Sequence, residues 1–180
     1  MKPIKAICKV IDTINDYLGR LFSLLVLGVL AVILIEVILR RLFNMPQIWT
    51  QELMICLSAC YIILIVAYGF QKKAFVMVDV LFAKLPIMGQ YILHLITYVV
   101  YLIPFAFWIT PRTWTFFIKS YQQNEKAYSV WSEPVWPVKL CFAIGMTLLC
   151  VQTVSEILKQ LDGIIETAKG GNKPAAKEAE

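Results

Sequence analysis

The chain has 180 residues, of which 59% are hydrophobic and 16% charged, and its formal net charge is +5 at pH 7. With a mean hydropathy of +0.71, this composition excludes a water-soluble globular domain, because too few polar side chains remain to cover its surface. The apolar runs do not alternate with polar residues, and backbone groups in lipid must be hydrogen-bonded within their own segment or in a closed barrel. We therefore expect an all-α integral membrane protein.

Four apolar runs are each long enough to cross the bilayer, which takes roughly 20 helical residues for about 30 Å of hydrocarbon. We predict a membrane domain over residues 18–158, with spans at about 18–41, 50–70, 87–110 and 137–157. Most of the 17 Lys and Arg residues fall on the side of the N-terminus, the second joint and the C-terminus. Both termini are therefore expected in the cytoplasm, with anionic membrane lipid as the partner of the basic charge.

The first 17 residues have the pattern of an amphipathic helix. Ile4, Ile7, Ile11 and Ile14 recur at helical spacing, and lysines and aspartates occupy other positions of the same segment. This pattern predicts a helix over residues 1–17 that lies on the inner membrane surface and leads into the first span.

Two acidic residues lie near the predicted outer ends of the first two spans. Glu36 precedes Arg40 by one helical step, a spacing that favours a local ion pair over a proton-binding site. Glu52 follows Thr50, a predicted N-cap, where a carboxylate complements the helix dipole. Arg40 or Arg41 could also reach Glu52 across the connecting loop.

The joints between the spans carry further signals. Lys72 and Lys73 precede a short segment that contains Asp79 and is stopped by Pro86, and we expect this segment to lie in the inner interface. The outer connection, predicted at residues 111–137, is rich in aromatic side chains, which are typical of a membrane boundary or a docking surface. Those aromatic residues are Trp114, Phe116, Phe117, Tyr121, Tyr128, Trp131 and Trp136. The remainder, residues 159–180, is expected to be a cytoplasmic tail with a disordered end.

Residues that could hold a cofactor are few. The single histidine, His94, lies inside the third predicted span, and a haem protein of four helices would need facing histidines. The five cysteines form no C-x-x-C pair, so neither a disulfide framework nor a metal site is expected. A bound phospholipid is the one small molecule we expect.

Several short motifs, in their order along the chain, resemble the small membrane subunit of tripartite ATP-independent periplasmic (TRAP) transporters, the DctQ family. The motifs are L-R-R-L-F-N at 39–44, P-Q-I-W-T-Q-E-L at 46–53, Y-G at 68–69 followed by basic residues, V-M-V-D-V-L at 76–81, and S-V-W-S-E-P-V-W-P-V-K at 129–139. The resemblance covers about residues 18–158. One departure is visible, since Phe75 fills a position where members of the family often carry histidine.

The resemblance implies a subunit that is not an enzyme and does not itself carry substrate. In the family, a large multi-span subunit moves substrate together with sodium, a periplasmic binding protein delivers the substrate, and the small subunit braces the static scaffold. It further implies a multi-pass protein of the bacterial inner membrane, sodium on the large subunit only, no nucleic acid, and an organic acid such as a dicarboxylate, keto acid or sulfonate as substrate.

The charged and aromatic residues at the ends of the spans are the candidates for anchoring at the subunit interface. They are Arg40, Arg41, Trp49, Glu52 and Trp136 at the outer edge and Lys72, Lys73 and Asp79 at the inner edge, with Glu36 as the intramembrane acid.

Another class of function stays open from the sequence. A small exporter could act alone as a dimer in which Glu36 exchanges protons for a drug cation, although the position of Arg40 one helical step away argues against it. A membrane redox enzyme would need paired cysteines or histidines, which this chain lacks.

Overall fold

A computed structural model describes residues 2–45, 47–74, 87–129 and 131–168. These residues form six α-helices and one π-helical segment, and the described part contains no strand. The elements are α1 (Lys2–Ser23), α2 (Leu25–Leu42), α3 (Ile48–Gln71), α4 (Ile87–Thr97), the π segment (Tyr98–Leu102), α5 (Ile103–Gln122) and α6 (Trp136–Ala168).

Four stretches of these helices are long and apolar enough to cross a membrane. They are Cys8–Leu42, Ile48–Gln71, Met88–Gln122 and Trp136–Ile165. The predicted all-α fold with four spanning helices is confirmed. The predicted inner segment around Asp79 and the end of the tail lie outside the described residues.

The first stretch consists of two helices that are almost continuous. Between α1 and α2 a single residue, Leu24, leaves the α-helical pattern, and its N–H bonds to the carbonyl of Leu21 three residues back instead of four. The amphipathic N-terminal helix therefore runs on into the first span with only one tight turn between them.

The third stretch is longer than the sequence predicted. α4, the π segment and α5 form one helix, and the N–H of Ile103 bonds to the carbonyl of Tyr98 five residues back. Pro104 has no N–H to offer the preceding turn, which explains why the helix widens here. α5 then continues through Pro111 to Gln122. The outer connection predicted at 111–137 is therefore helical in its first part, and the non-helical connection begins after α5.

α6 lies at the centre of the bundle, where it contacts α1, α3, α4 and α5, whereas α2 contacts α3 and, more slightly, α1. The best-buried apolar cluster, formed by Ala67, Met146 and Leu149, lies between α3 and α6. No residue of α2 is buried. Its apolar side chains therefore face the surroundings of the bundle.

α3 and α6 approach each other closely at Gly145. A Cβ atom on this glycine would lie 2.5 Å from the carbonyl oxygen of Ile63 on α3, a distance that forces a shift of the backbone. Gly28 on α2, by contrast, has nothing within 4 Å of its virtual Cβ. Small residues allow membrane helices to pack backbone against backbone, so Gly145 sets the spacing of the two central helices.

Candidate functional site: the polar ends of the bundle

A partly buried ionic cluster joins the N-terminal helix α1 to the C-terminal half of α6. The ammonium of Lys159 lies 2.8 Å from Oδ2 and 2.9 Å from Oδ1 of Asp12, and 2.6 Å from Oε1 of Glu156. Glu156 is only 3% exposed. One ammonium therefore neutralises two carboxylates from two helices, and we call these three residues together with Asn15 and Gln152 the inner cluster.

Gln152 connects the inner cluster through both the oxygen and the nitrogen of its side-chain amide. Its Oε1 accepts a hydrogen bond from Nδ2 of Asn15 at 3.2 Å, and its Nε2 donates to Oδ1 of Asp12 at 3.0 Å. The side chain is fully buried. A satisfied buried amide fixes the register of the two helices that it joins, because any slip would leave its polar atoms without partners.

The side of α1 that packs on the bundle is its polar side. Asn15 is buried, whereas Val10, Ile14 and Tyr17 are more than half exposed. The sequence predicted the amphipathic helix but assigned no partner to its polar face. The available signal was a matching pattern, since Asp12, Asn15, Asp16 and Gly19 have the same spacing as Gln152, Ser155, Glu156 and Lys159. Two polar stripes of equal period are typical of helices that pack against each other.

A second ion pair at this end joins α1 to the end of α3. The ammonium of Lys72 lies 2.9 Å from Oδ1 of Asp16, whose Oδ2 also pairs with Arg20 at 2.6 Å. Lys72 was predicted as an inner anchor, and the structure gives it this partner on α1. Lys73 follows at the end of the helix with a positive φ of 49°. The predicted role of Asp79 stays a prediction.

At the opposite end, one hydroxyl lies between two carboxylates. Oγ of Ser129 is 3.0 Å from Oε2 of Glu52 and 2.8 Å from Oε2 of Glu133. This contact joins the start of α3 to the loop that precedes α6. The backbone N–H of Glu133 itself and the hydroxyl of Ser129 hold the pKa of the Glu133 carboxyl below its ordinary value. We call Glu52, Ser129 and Glu133, together with Glu125 and Lys139, the outer cluster.

Lys139 and Glu125 complete the outer cluster as an ion pair. The side chain of Lys139 is 9% exposed and that of Glu125 is 41% exposed. The ammonium also lies 3.8 Å from the ring centre of Phe116 on α5, so it links three parts of the chain. The ammonium of Lys139 and the hydroxyl of Ser120 lower the pKa of the Glu125 carboxyl.

The structure separates the outer residues that the sequence grouped. Arg40 lies 3.9 Å from Glu36, as the i, i+4 spacing predicted, at the limit of an ion pair. Arg41 is exposed. In the described part of the chain, Glu52 bonds to Ser129 and not to Arg40 or Arg41, the partners that the sequence suggested.

The predicted N-cap at Thr50 is wrong. The N-cap of α3 is Gln47, three residues earlier, and the helix begins at Ile48. The hydroxyl of Thr50 donates to the carbonyl oxygen of Gln47 at 2.8 Å. Trp49 donates its indole N–H to Oε1 of Gln47 at 3.2 Å.

Trp136, the other predicted aromatic anchor, packs edge-to-face on Tyr121 with ring centres 5.6 Å apart.

Between the two clusters the helices are closely packed. Ala67 and Ala143 are fully buried, and Gly145 lies against the backbone of Ile63. The ring of His94 lies beside that of Tyr98, with centres 5.9 Å apart. Within the described ranges, no group of three or more His, Cys, Asp or Glu side chains is arranged to hold a metal ion.

The comparisons with known proteins gave one result. The family model described as "Tripartite ATP-independent periplasmic transporters, DctQ component" matches residues 29–163, which is well over half of the chain. No curated protein and no solved structure matches the chain. The match covers all four spans in whole or in part, from near the start of α2 to near the end of α6. The chain therefore belongs to the DctQ family and is the small membrane component of a TRAP transporter, not an enzyme.

Proposed function

We propose that this subunit braces the large transport subunit of a sodium-coupled importer in the bacterial inner membrane. The imported solute is an organic acid that a periplasmic binding protein delivers. The chain itself supplies support rather than a path for the solute.

The observation that carries this proposal is the way in which the bundle is fastened at its two ends. At the inner end α1, α3 and α6 are joined by Asp12, Asp16, Lys72 and Lys159. At the outer end α3, α5 and α6 are joined through the outer cluster. A bundle tied at both interfaces resists shear, and this is what a moving transport domain needs from the scaffold beside it.

The packing between the two ends supports the same division of labour. A solute path needs inward-facing polar groups or unwound helices at mid-depth. Here α3 and α6 pack backbone against backbone at Gly145, with Ala67 and Met146 buried beside them. The polar groups of the inner cluster already bond to one another.

A transport assay tests the bracing role directly. Cells express the large subunit and the binding protein with or without this chain, and uptake of labelled dicarboxylates, keto acids and sulfonates is measured in sodium and in choline medium. We expect sodium-dependent uptake of one of these classes only when the chain is present. Equal uptake without the chain, at equal amounts of large subunit on immunoblots, would refute the bracing role.

Site variants sharpen this assay. Glu52→Gln combined with Arg40→Gln should lower uptake while the large subunit is still present, because both residues hold the outer edge of the chain. Gly28→Ala, at an open position on α2, is the matched control and should leave uptake unchanged. The chain reconstituted alone should drive no flux, and flux of solute or drug cation by the chain alone would favour the exporter instead.

A further inference from the structure

The side of α5 that faces away from the bundle carries an open groove, and one positively charged side chain lines it. The groove has a volume of about 410 Å³ and is lined by Pro104, Phe105, Trp108, Ile109 and Arg112. Phe105 and Trp108 are 52% and 66% exposed. The guanidinium of Arg112 lies over the ring of Trp108, with Cζ 4.9 Å from the ring centre. We call this feature the Arg112 groove.

A contact between α5 and α6 fixes the depth of the Arg112 groove. Oγ1 of Thr110 lies 3.4 Å from the carbonyl oxygen of Met146, so these residues are level with each other. At 1.5 Å per helical residue, Met146 lies about 10 Å inward of Lys139 and about 15 Å outward of Glu156. The Arg112 groove therefore lies between the two polar clusters, in the apolar part of the bundle.

The side chain of Arg112 does not extend toward the outer end of α5. Its guanidinium folds back over Trp108, one helical turn further from the outer end of α5. A long charged side chain within a membrane normally extends so that its charged end reaches water. Arg112 does not do so here. The stacking on Trp108 is a cation–π contact, which stabilises the charge only in part.

Arg112 lacks a carboxylate partner within the described residues. The acidic side chains in ion pairs there, Asp12, Asp16, Glu36, Glu125 and Glu156, all pair with other cations. An arginine at mid-depth in a membrane costs about 3 kcal/mol or more unless a partner neutralises it. The charge therefore calls for an acidic group from outside the described residues.

We infer that the Arg112 groove receives a transmembrane helix of the large subunit that carries a carboxylate at mid-depth and pairs with Arg112. This inference rests on the proposed function, which supplies the large subunit as partner. Trp108 and Phe105 provide the aromatic contact around the ion pair. A phospholipid headgroup fits less well, because its phosphate lies at the membrane surface and not beside Met146.

The exposed side of α2 shows what a surface without this feature looks like. Its exposed apolar residues include Leu27, Leu30 and Leu34, at 50% to 61%, and residues 27–34 contain no aromatic or charged side chain. Such an aliphatic surface suits lipid chains, whereas one cation beside two exposed aromatic rings suits a protein partner.

Photo-crosslinking in the full transporter complex tests the inference. A benzoylphenylalanine at Phe105 should form a covalent product with the large subunit, whereas the same probe at Leu30 on α2 should label lipid. A Phe105 product that is phospholipid would overturn the inference. So would equal yields of the large-subunit product at the two positions.

Charge variants provide the second measurement. Arg112→Gln and Arg112→Glu should lower both the Phe105 product and the co-purified large subunit about tenfold or more, and Arg112→Lys should restore part of the loss. Lys119→Gln, an exposed cation further along α5, is the matched control and should change neither. Normal co-purification and crosslinking of Arg112→Glu would overturn the inference, whether or not its melting temperature changes.

The two proposals fail in different ways. If uptake is intact without the chain, the bracing function is refuted. If uptake needs the chain but the Arg112 variants assemble and crosslink like the wild type, only the pairing through Arg112 is refuted.

Discussion

The two polar ends of this bundle use the same kinds of side chain in different surroundings. In the inner cluster, Gln152 is fully buried and Glu156 is 3% exposed, and every bond runs between helices or along α6. In the outer cluster, the side chain of Glu125 is 41% exposed, and most partners lie on or next to the loop that precedes α6. The inner cluster therefore has the more buried carboxylate and amide, whereas its ammonium, on Lys159, is 26% exposed against 9% for Lys139 of the outer cluster.

This difference in exposure decides how much each end contributes to stability. An exposed ion pair gains about 0 to 1 kcal/mol, because water screens it. Removing one partner of a buried pair costs far more, since it leaves a charge without compensation. We therefore expect the inner cluster to hold α1 on the bundle, and the outer cluster to orient the loop.

The largest expected effect is at Lys159. Lys159→Met leaves the carboxylates of Asp12 and Glu156 facing each other without a cation, and we expect the free energy of unfolding to fall by about 3 kcal/mol. The measurement is unfolding by a denaturant in detergent micelles. Lys159→Arg keeps the charge and should recover most of the loss. A loss below that of an outer-cluster variant would reverse the ranking of the two ends.

The next largest effect on stability is expected where α3 and α6 cross, between the two polar ends. Gly145→Ala places a methyl group 2.5 Å from the carbonyl oxygen of Ile63, and such overpacking should cost about 2 kcal/mol. Gly28→Ala is the matched control at an open helical position, where replacing glycine should stabilise by up to about 1 kcal/mol. Equal changes for the two variants would show that α3 and α6 are held by their polar ends alone.

A smaller effect is expected in the outer cluster. Ser129→Ala removes the hydroxyl between Glu52 and Glu133, and we expect a loss of about 1 kcal/mol. Thr13→Ala is the control, because its exposed hydroxyl bonds only to the carbonyl of Lys9 within α1. Both variants are measured in the same unfolding assay, and a loss at Ser129 as large as that at Lys159 would remove the contrast between the ends.

The smallest effect is the pH dependence of the outer cluster. The pKa of Glu125 and that of Glu133 are lowered from the ordinary 4.5 in the folded state. Their contribution to stability is therefore complete above pH 4.5 and is lost as the pH falls through the lowered pKa values. The measurement is the melting temperature between pH 6 and pH 3. Glu125→Gln with Glu133→Gln should flatten this dependence, and an unchanged profile in the double variant would assign the acid sensitivity to other carboxylates.

Contacts within a single helix were predictable from the sequence. Glu36 and Arg40 are close enough to meet because they are one helical step apart, and Lys72 follows the end of its span because charges collect there. Contacts between helices were not. The partner of Asp12 is Lys159, which lies almost at the other end of the chain, and no local pattern specifies such a pair.

The depth of Arg112 shows a similar limit. The sequence placed this residue in an outer connection, because Pro111 stands where the third span was expected to end. In the structure the helix passes through Pro111 to Gln122. Packing against neighbouring helices allows a proline inside a membrane helix, and this packing is not visible in the order of residues.

The sequence by itself determined the membrane class, the four spanning helices and the family of this protein. Hydrophobicity and helical spacing depend only on residues that are neighbours in the sequence. They can therefore be read without knowing the fold. Only the tertiary structure decided that the polar side of α1 faces the bundle, that Gly145 sets the approach of α3 and α6, and that Arg112 has no carboxylate partner among the described residues. Those facts depend on the rotation and register of one helix against another, which are fixed when buried polar groups and close packing must be satisfied together.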